Sequence, residues 1–128
     1  MTKTRYEAGM ATRRSVLGDA HVDRSEAATT AFDAPFQTLI TEGAWGTLWS
    51  DETISRRERS MLTLALLAAT GNFAEIPMHI RATANTGASR DDVMQAFLHV
   101  AVYAGVPAAN HAIKLAKETF AEMEAEDE

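Results

Sequence analysis

Apolar residues recur along most of this chain at intervals of three and four positions, and no segment alternates apolar and polar residues over the length of a strand. Intervals of three and four place side chains on one face of a helix. Alanine and leucine dominate these positions, whereas valine and isoleucine, which favour strands, are sparse. The pattern therefore predicts an all-α protein, a bundle of about six helices.

The first part of the chain is predicted to contain two helices. One covers residues 4–17 and ends at a glycine. The other begins near Asp23 or Ser25 and runs to about Glu42, with Pro35 as the point where it could break.

A cluster of two glycines and both tryptophans interrupts the helical pattern between Gly43 and Trp49. Glycine pairs are typical of tight turns. The indoles of Trp45 and Trp49 would then either fill the turn or form the wall of a pocket.

Three later helices are indicated by capping boxes, in which a serine or asparagine is followed three positions later by an acidic residue. These helices are predicted over residues 55–69, 72–87 and 89–105. A last helix begins at Pro107, a residue that suits the first helical position, and we expect residues 122–128, an acidic tail, to be frayed.

The helix over residues 60–69 is apolar nearly all round. A helix of this kind must be surrounded, and one small domain rarely surrounds a helix completely. The length of 128 residues suits a single domain over residues 1–128. We therefore expect one domain that forms a homo-oligomer.

Charge and composition exclude several classes of protein. The net charge of −6 and the acidic tail would repel phosphates, so nucleic acid is not an expected partner. The chain has no cysteine, which removes thiol chemistry. No apolar run approaches the roughly 20 residues that span a bilayer. A cytoplasmic protein without a membrane partner is the expectation.

Three arginines, Arg56, Arg57 and Arg59, occupy the first turn of a predicted helix, where free backbone N–H groups already make the potential positive. Three positive charges at this position are favourable only if an anion lies beside them. It is either supplied by neighbouring acids on a solvated surface or is the carboxylate of a substrate. Arg81 is a further candidate for the second role.

Titratable residues occur at helical spacing, four positions apart, in two segments of the chain. Glu75 and His79 share one face, either as a surface pair or as an acid and base in a pocket. Gln95, His99 and Tyr103 form a polar stripe beside an apolar one, which indicates a pocket, an interface or hydrogen-bonded core residues.

A metal site is an alternative use of the same residues. Glu75 and His79 could be joined by His99 or His111, which would leave an open position on a zinc ion. Neither His-x-x-x-His nor His-Glu-x-x-His occurs in the chain. We therefore predict no metal ligand.

Several segments together resemble the carboxymuconolactone decarboxylase family, over residues 5–121. The resemblance is carried by residues 42–46 (EGAWG), 56–62 (RRERSML), 75–79 (EIPMH), 87–93 (GASRDDV) and 99–110 (HVAVYAGVPAAN). It implies an alkylhydroperoxidase-like helical fold, assembled as an oligomer and commonly a hexamer. In the redox relatives two cysteines stand where this chain has Asn72 and Glu75, so peroxidase activity is not implied.

The resemblance also implies a reaction, the decarboxylation of 4-carboxymuconolactone to β-ketoadipate enol-lactone in protocatechuate breakdown, with no cofactor and a small dicarboxylate lactone as the ligand. The implied catalytic residues are His79, His99, Glu75 and Tyr103, and the implied substrate-binding residues are Arg59, Arg56, Trp45, Trp49 and Glu42. Two alternatives stay open: another lactone or keto-acid lyase, and a non-enzymatic helical oligomer that binds small carboxylates.

Overall fold

The computed structural model describes residues 2–127, and every regular element within them is helical. The prediction of an all-α protein is confirmed. The chain forms two compact units, Met1–Ser55 and Arg56–Glu128, and the single domain expected from the sequence stays a prediction. No helix within residues 2–127 is both long and apolar enough to cross a membrane.

The first unit is formed by α1 (Arg5–Leu17), α2 (Asp19–Ala28), α3 (Ala34–Ile40) and a π-helical segment (Thr41–Trp49). The start of α1 is a capping box, because the Thr4 hydroxyl accepts from the Glu7 N–H and the Glu7 carboxylate accepts from the Thr4 N–H. The single predicted helix over residues 23–42 is in fact divided. Pro35 lies in the first turn of α3, where its missing N–H costs nothing.

The predicted tight turn at residues 43–49 was wrong, because this stretch lies within the π-helical segment. The segment packs closely on α1 through two glycines. A Cβ added to Gly9 would lie 2.0 Å from the carbonyl oxygen of Thr41, and one added to Gly46 would lie 2.6 Å from that of Arg5. The missing side chains therefore let the two backbones touch.

Side-chain hydrogen bonds also stabilise the contact between α1 and the π-helical segment. The Arg5 guanidinium donates to the Thr47 hydroxyl at 2.7 Å and to the Glu42 carbonyl at 3.3 Å. The Ser50 hydroxyl donates to the Trp45 carbonyl at 2.6 Å and lies 2.7 Å from the Thr12 hydroxyl. The unusual helix is thus stabilised by its packing partner as well as by its own sequence.

The second unit is a four-helix bundle of α4 (Arg56–Ala69), α5 (Ile76–Thr86), α6 (Arg90–Tyr103) and α7 (Val106–Glu126), with a 3₁₀ turn (Phe73–Glu75) before α5. Helix α4 packs on α5 and α6, and α7 packs on all three. The most deeply buried members of the shared core are Leu64, Ala68, Ile76, Ile80, Phe97 and Ala112. Helices α5 and α6 therefore occupy opposite corners of the bundle.

The helix ends of this unit follow local signals. Helix α5 stops at Gly87, whose φ of 84° is left-handed, and α6 starts from a capping box between Ser89 and Asp92. The boundary at Asn72 differs from the prediction, since its side chain caps no helix and the chain makes the 3₁₀ turn first. Pro107 is the second residue of α7, one position later than predicted.

The acidic tail was expected to fray, but α7 continues to Glu126. Arg81 on α5 bonds to Glu122 at 3.0 Å and to Glu126 at 2.9 Å, and Arg90 on α6 pairs with Glu124. The carboxylates of Glu126 and Glu122 raise the pKa of the Arg81 guanidinium. These ion pairs tie the last turns of α7 to its neighbours, and for that reason Arg81 is not available as the anion-binding residue suggested by the sequence.

An ion pair also joins the first turns of α4 and α6. The Arg57 guanidinium donates to both carboxylate oxygens of Asp92, at 2.6 and 2.7 Å. The Arg57 side chain, followed by the backbone N–H of Ser89, lowers the pKa of the Asp92 carboxyl well below its usual range. Asp92 is therefore a structural anchor as well as a capping residue.

Gly9→Ala should destabilise the first unit, because its methyl group would overlap the backbone of the π-helical segment. We expect a loss of about 1–3 kcal/mol in the free energy of unfolding, measured by urea denaturation. Gly43→Ala is the matched control, since a Cβ at Gly43 meets nothing within 4 Å. Equal stability of the two variants would contradict the close approach.

Asp92→Asn should reduce stability most at neutral pH, and this loss of stability should shrink as the pH falls below about 4. A carboxyl whose pKa is lowered on folding stabilises the protein above its unfolded pKa of about 4, and this contribution is lost as the pH falls toward the folded value. The difference in urea midpoint between the variant and the parent chain should therefore be largest at pH 7 and should narrow progressively from pH 4 to pH 2, because the folded carboxyl stays ionised below the unfolded pKa. Asp91→Asn is the control at the adjacent exposed position, and a gap for Asp92→Asn of the same size at pH 7 and pH 2 would contradict the ion pair.

Candidate active site

Helices α4 and α5 bury five polar side chains, which we call the polar seam: Arg59, Ser60, His79, Thr83 and Thr86. Arg59 is only 9% exposed and His79 only 8%. The hydroxyls of Ser60 and Thr86 lie 2.7 Å apart and link the two helices. Buried polar groups cost free energy unless they are partnered, so a cluster of them in an apolar bundle marks a candidate site.

The α5 side of the polar seam follows from helical spacing. His79, Thr83 and Thr86 stand at positions i, i+4 and i+7, which share one face of a helix. The Thr83 hydroxyl donates to the Ile80 carbonyl at 2.6 Å, so it is satisfied within its own helix. Sequence reasoning missed Thr83 and Thr86, although this spacing from His79 was a signal that could have revealed them.

The three arginines at the start of α4 have different surroundings. Arg57 is engaged by Asp92, Arg56 is half-buried and Arg59 is buried. Arg59 thus brings a permanent positive charge into the first turn of a helix, close to backbone N–H groups that lack helical acceptors. Of the three, Arg59 has the environment in which binding of a carboxylate would be strongest.

Glu75 and His79 occupy one turn of chain with different exposure. Glu75 is the exposed last residue of the 3₁₀ turn and precedes the first residue of α5, whereas His79 is buried one turn further on. Because Glu75 stands outside α5, its placement on one helical face with His79 stays a prediction. Glu75 is accessible to solvent, whereas His79 is not.

His99 and Tyr103 lie on the exposed face of α6. Their rings are nearly parallel, with centroids 6.2 Å apart, and Tyr103 is 84% exposed. With Leu98 and Val102 they line a shallow cavity of about 170 Å³. The polar stripe predicted from the sequence is present, but it faces outward, and because α5 and α6 are at opposite corners the structure does not bring His99 to His79.

The remaining predicted residues, Glu42, Trp45 and Trp49, belong to the first unit. The two indoles are buried and tilted against each other, with ring centroids 5.3 Å apart. The backbone carbonyl of Glu42 accepts from Arg5. Within the first unit, the two tryptophans therefore contribute to the buried interior, and Glu42 takes part in the contact with α1 through its backbone.

The metal alternative needed His99 or His111 beside Glu75 and His79. His111 instead packs on Phe73, with ring centroids 4.1 Å apart. Within residues 2–127, no three histidine, aspartate or glutamate side chains are grouped so that they could hold a metal ion.

Comparison with known proteins identifies the family. The carboxymuconolactone decarboxylase family matches residues 34–118, which include the whole polar seam. The chain belongs to this family, and the resemblance found in the sequence is confirmed.

Three curated relatives show the same relationship. A 4-carboxymuconolactone decarboxylase of Acinetobacter baylyi is 40% identical over 119 residues, 93% of this chain and 89% of that protein. A nitrosuccinic acid decarboxylase of Metarhizium robertsii is 36% identical over 118 residues, 92% of this chain and 82% of that protein. A 4-carboxymuconolactone decarboxylase of Pseudomonas putida is 54% identical over 44 residues, 34% of this chain and 92% of that sequence. The prediction of a carboxy-lyase is confirmed at the level of the family.

Proposed function

We propose that this chain decarboxylates 4-carboxymuconolactone to β-ketoadipate enol-lactone, as in protocatechuate breakdown, and that it does so without a cofactor. The observation that carries the proposal is the burial of Arg59 and His79 on two neighbouring helices. The 40% identity to the Acinetobacter baylyi decarboxylase over nearly the whole chain supports the choice of substrate.

The substrate provides its own electron acceptor. Its departing carboxylate is attached to a saturated ring carbon next to the ring double bond, and that double bond is conjugated with the lactone carbonyl. When the C–C bond breaks, carbon dioxide leaves and the electron pair moves through the ring to the carbonyl oxygen, which forms a dienolate. A proton added to ring carbon then completes the reaction. The protein must therefore bind the anions, stabilise the dienolate oxygen and deliver one proton.

The polar seam offers groups for these tasks. Arg59 would bind the carboxylate that is retained, because its guanidinium can donate two parallel hydrogen bonds to it. His79 would donate a hydrogen bond to the dienolate or deliver the proton.

Glu75 would act through His79 as a positioning residue. Its carboxylate stands four positions before the imidazole, just ahead of α5, from where it would orient the ring through a hydrogen bond. Arg56, half-buried one turn of backbone before Arg59, would add positive charge at the entrance.

We also propose that the chain works as a homo-oligomer, with a hexamer as the specific expectation. Large apolar side chains are exposed on two adjacent helices of the bundle, Leu62 and Leu66 on α4 and Leu98 and Val102 on α6. Apolar residues in such number favour a protein partner. His99 and Tyr103 lie among them and would contribute to catalysis only through contact with another copy.

A second substrate follows from the Metarhizium robertsii relative, whose name gives nitrosuccinic acid as its substrate. Nitrosuccinate also carries two carboxylates, one of them placed so that the nitro group can accept the electron pair left by carbon dioxide. The same residues could serve both reactions. The two substrates are therefore the first to compare.

We expect the purified chain to consume 4-carboxymuconolactone, with the loss of its ultraviolet absorbance matched by release of carbon dioxide and unchanged by a metal chelator. His79→Gln should lower kcat by a factor of about 10² or more, the usual contribution of proton transfer and hydrogen bonding at a reacting centre. His111→Gln, at an exposed histidine, is the matched control and should retain full activity.

Two results would contradict the proposal. Full activity of His79→Gln would remove the histidine from the mechanism. A kcat/KM for nitrosuccinate far above that for the lactone would show that the proposed substrate is wrong, although the proposed cofactor-free decarboxylation would stand.

A charged substitution on the exposed apolar face of α4 and α6 tests whether the chain forms an oligomer. Leu66→Glu should shift sedimentation toward smaller species, because burying a carboxylate in an interface is unfavourable. Ala84→Glu adds the same charge at an exposed position of α5 and should leave the assembly intact. A parent chain that sediments as a monomer at all concentrations would end this part of the proposal.

A further inference from the structure

A cavity of about 330 Å³ lies between α6 and α7, away from every residue assigned above to decarboxylation. Its floor is apolar, formed chiefly by Val93, Met94, Phe97, Ile113 and Phe120. The volume is at the lower end of the range for sites that hold small molecules. The cavity therefore suits a ligand about the size of one substituted aromatic ring.

Charged side chains surround this apolar floor, and one of them, Arg90, is paired with a carboxylate. The Arg90 guanidinium lies 4.6 Å from the centre of the Phe120 ring and pairs with Glu124. Stacking on the ring and pairing with the carboxylate hold Arg90 in place as one wall. Its charge is thus balanced within the protein.

Lys117 is the uncompensated charge at the cavity. It lines the opening from α7 and, within residues 2–127, makes no hydrogen bond or ion pair. It also borders an adjoining cavity of about 410 Å³, which Lys114 and Glu118 line as well. The charged residues that line the apolar cavity itself are Arg90, Lys117 and Glu124, which leaves one positive charge in excess at its opening.

We propose that this cavity binds a monocarboxylate carrying one aromatic ring, with the ring on the apolar floor and the carboxylate at Lys117. Two phenylalanines and a methionine favour an aromatic body, since both ring edges and thioether sulfur contact aromatic faces well. The free ammonium selects the anion. The site is independent of the polar seam and would be occupied whether or not the proposed reaction is correct.

The probes are 3-phenylpropionate and its neutral counterpart 3-phenylpropionamide, titrated into the full chain while the Met94 methyl resonance is followed by NMR. We expect a saturable shift with both probes. Lys117→Met keeps the apolar stem and removes the charge. It should therefore weaken the binding of 3-phenylpropionate threefold to fivefold and leave the affinity for 3-phenylpropionamide unchanged. Lys114→Met, one turn away, should change either affinity less than twofold.

Ala121→Trp tests the location. Ala121 is exposed and lines the cavity, so an indole there can fill the cavity without replacing a core residue. Binding of both probes should be lost in this variant and retained in Ala121→Ser, with circular dichroism showing the same helical content in both.

Three outcomes would overturn the proposal. One is a Met94 resonance that does not shift or does not saturate in the parent chain, which includes the case of a second copy covering the cavity. Another is equal weakening of both probes by Lys117→Met. The last is undiminished binding in Ala121→Trp. None of these results depends on decarboxylase activity, so failure here and failure of the proposed function are separate.

Discussion

Burial of Arg59 and His79 in an apolar four-helix bundle is the constraint on which the interpretation of this chain depends. A guanidinium cannot be neutralised in a protein, and removing its charge from water is costly unless other groups replace the lost hydration. Helix starts provide such groups, because their first backbone N–H and side-chain positions are free to organise around an anion. Placing Arg59 in the first turn of α4 thus combines a burial cost with a site prepared for negative charge.

The bundle around these residues explains how that arrangement is maintained. The hydroxyl contact between Ser60 and Thr86 fixes α4 against α5 beside Arg59. The Arg57 pair with Asp92 fixes the same turn of α4 against α6. The start of α4 is therefore fastened to two helices, and a side chain carried by that turn has little freedom to move. Preorganisation of this kind is what electrostatic catalysis requires.

Sequence reasoning predicted the features that are encoded locally and missed those set by distant contacts. The starts of α1 and α6 and the stop at Gly87 follow from capping and from glycine's access to positive φ, which involve only neighbouring residues. The π-helical segment was missed because its geometry depends on close packing against Gly9, more than 30 positions earlier in the chain. The extent of α7 was missed for the same reason, since Arg81 and Arg90 hold its acidic end.

The site shows the same division between local and distant information. Spacing predicted shared faces for Glu75 with His79 and for His99 with Tyr103, and the structure has His99 and Tyr103 on one face of α6. Spacing could not say which face is covered. His79 is buried because α5 packs on α4 and α7, whereas His99 lies on an exposed side of α6. A polar stripe in a sequence thus identifies a face, and only the tertiary arrangement decides whether that face forms a pocket or an exposed surface.

Cofactor-free decarboxylation gives a physical reason why one fold could serve two substrates. The rate of such a reaction depends on where the departing electron pair goes, and in both candidate substrates the acceptor belongs to the substrate itself. The protein then needs only a fixed cation for the retained carboxylate, a proton donor at suitable distance and a less polar surface for the departing group. Under the proposal, Arg59 would supply the cation and His79 the proton donor, and neither group is specific for a lactone. Selectivity under this proposal would therefore lie in the shape around the acceptor, not in the charged groups, and members of the family could change substrate while keeping the polar seam.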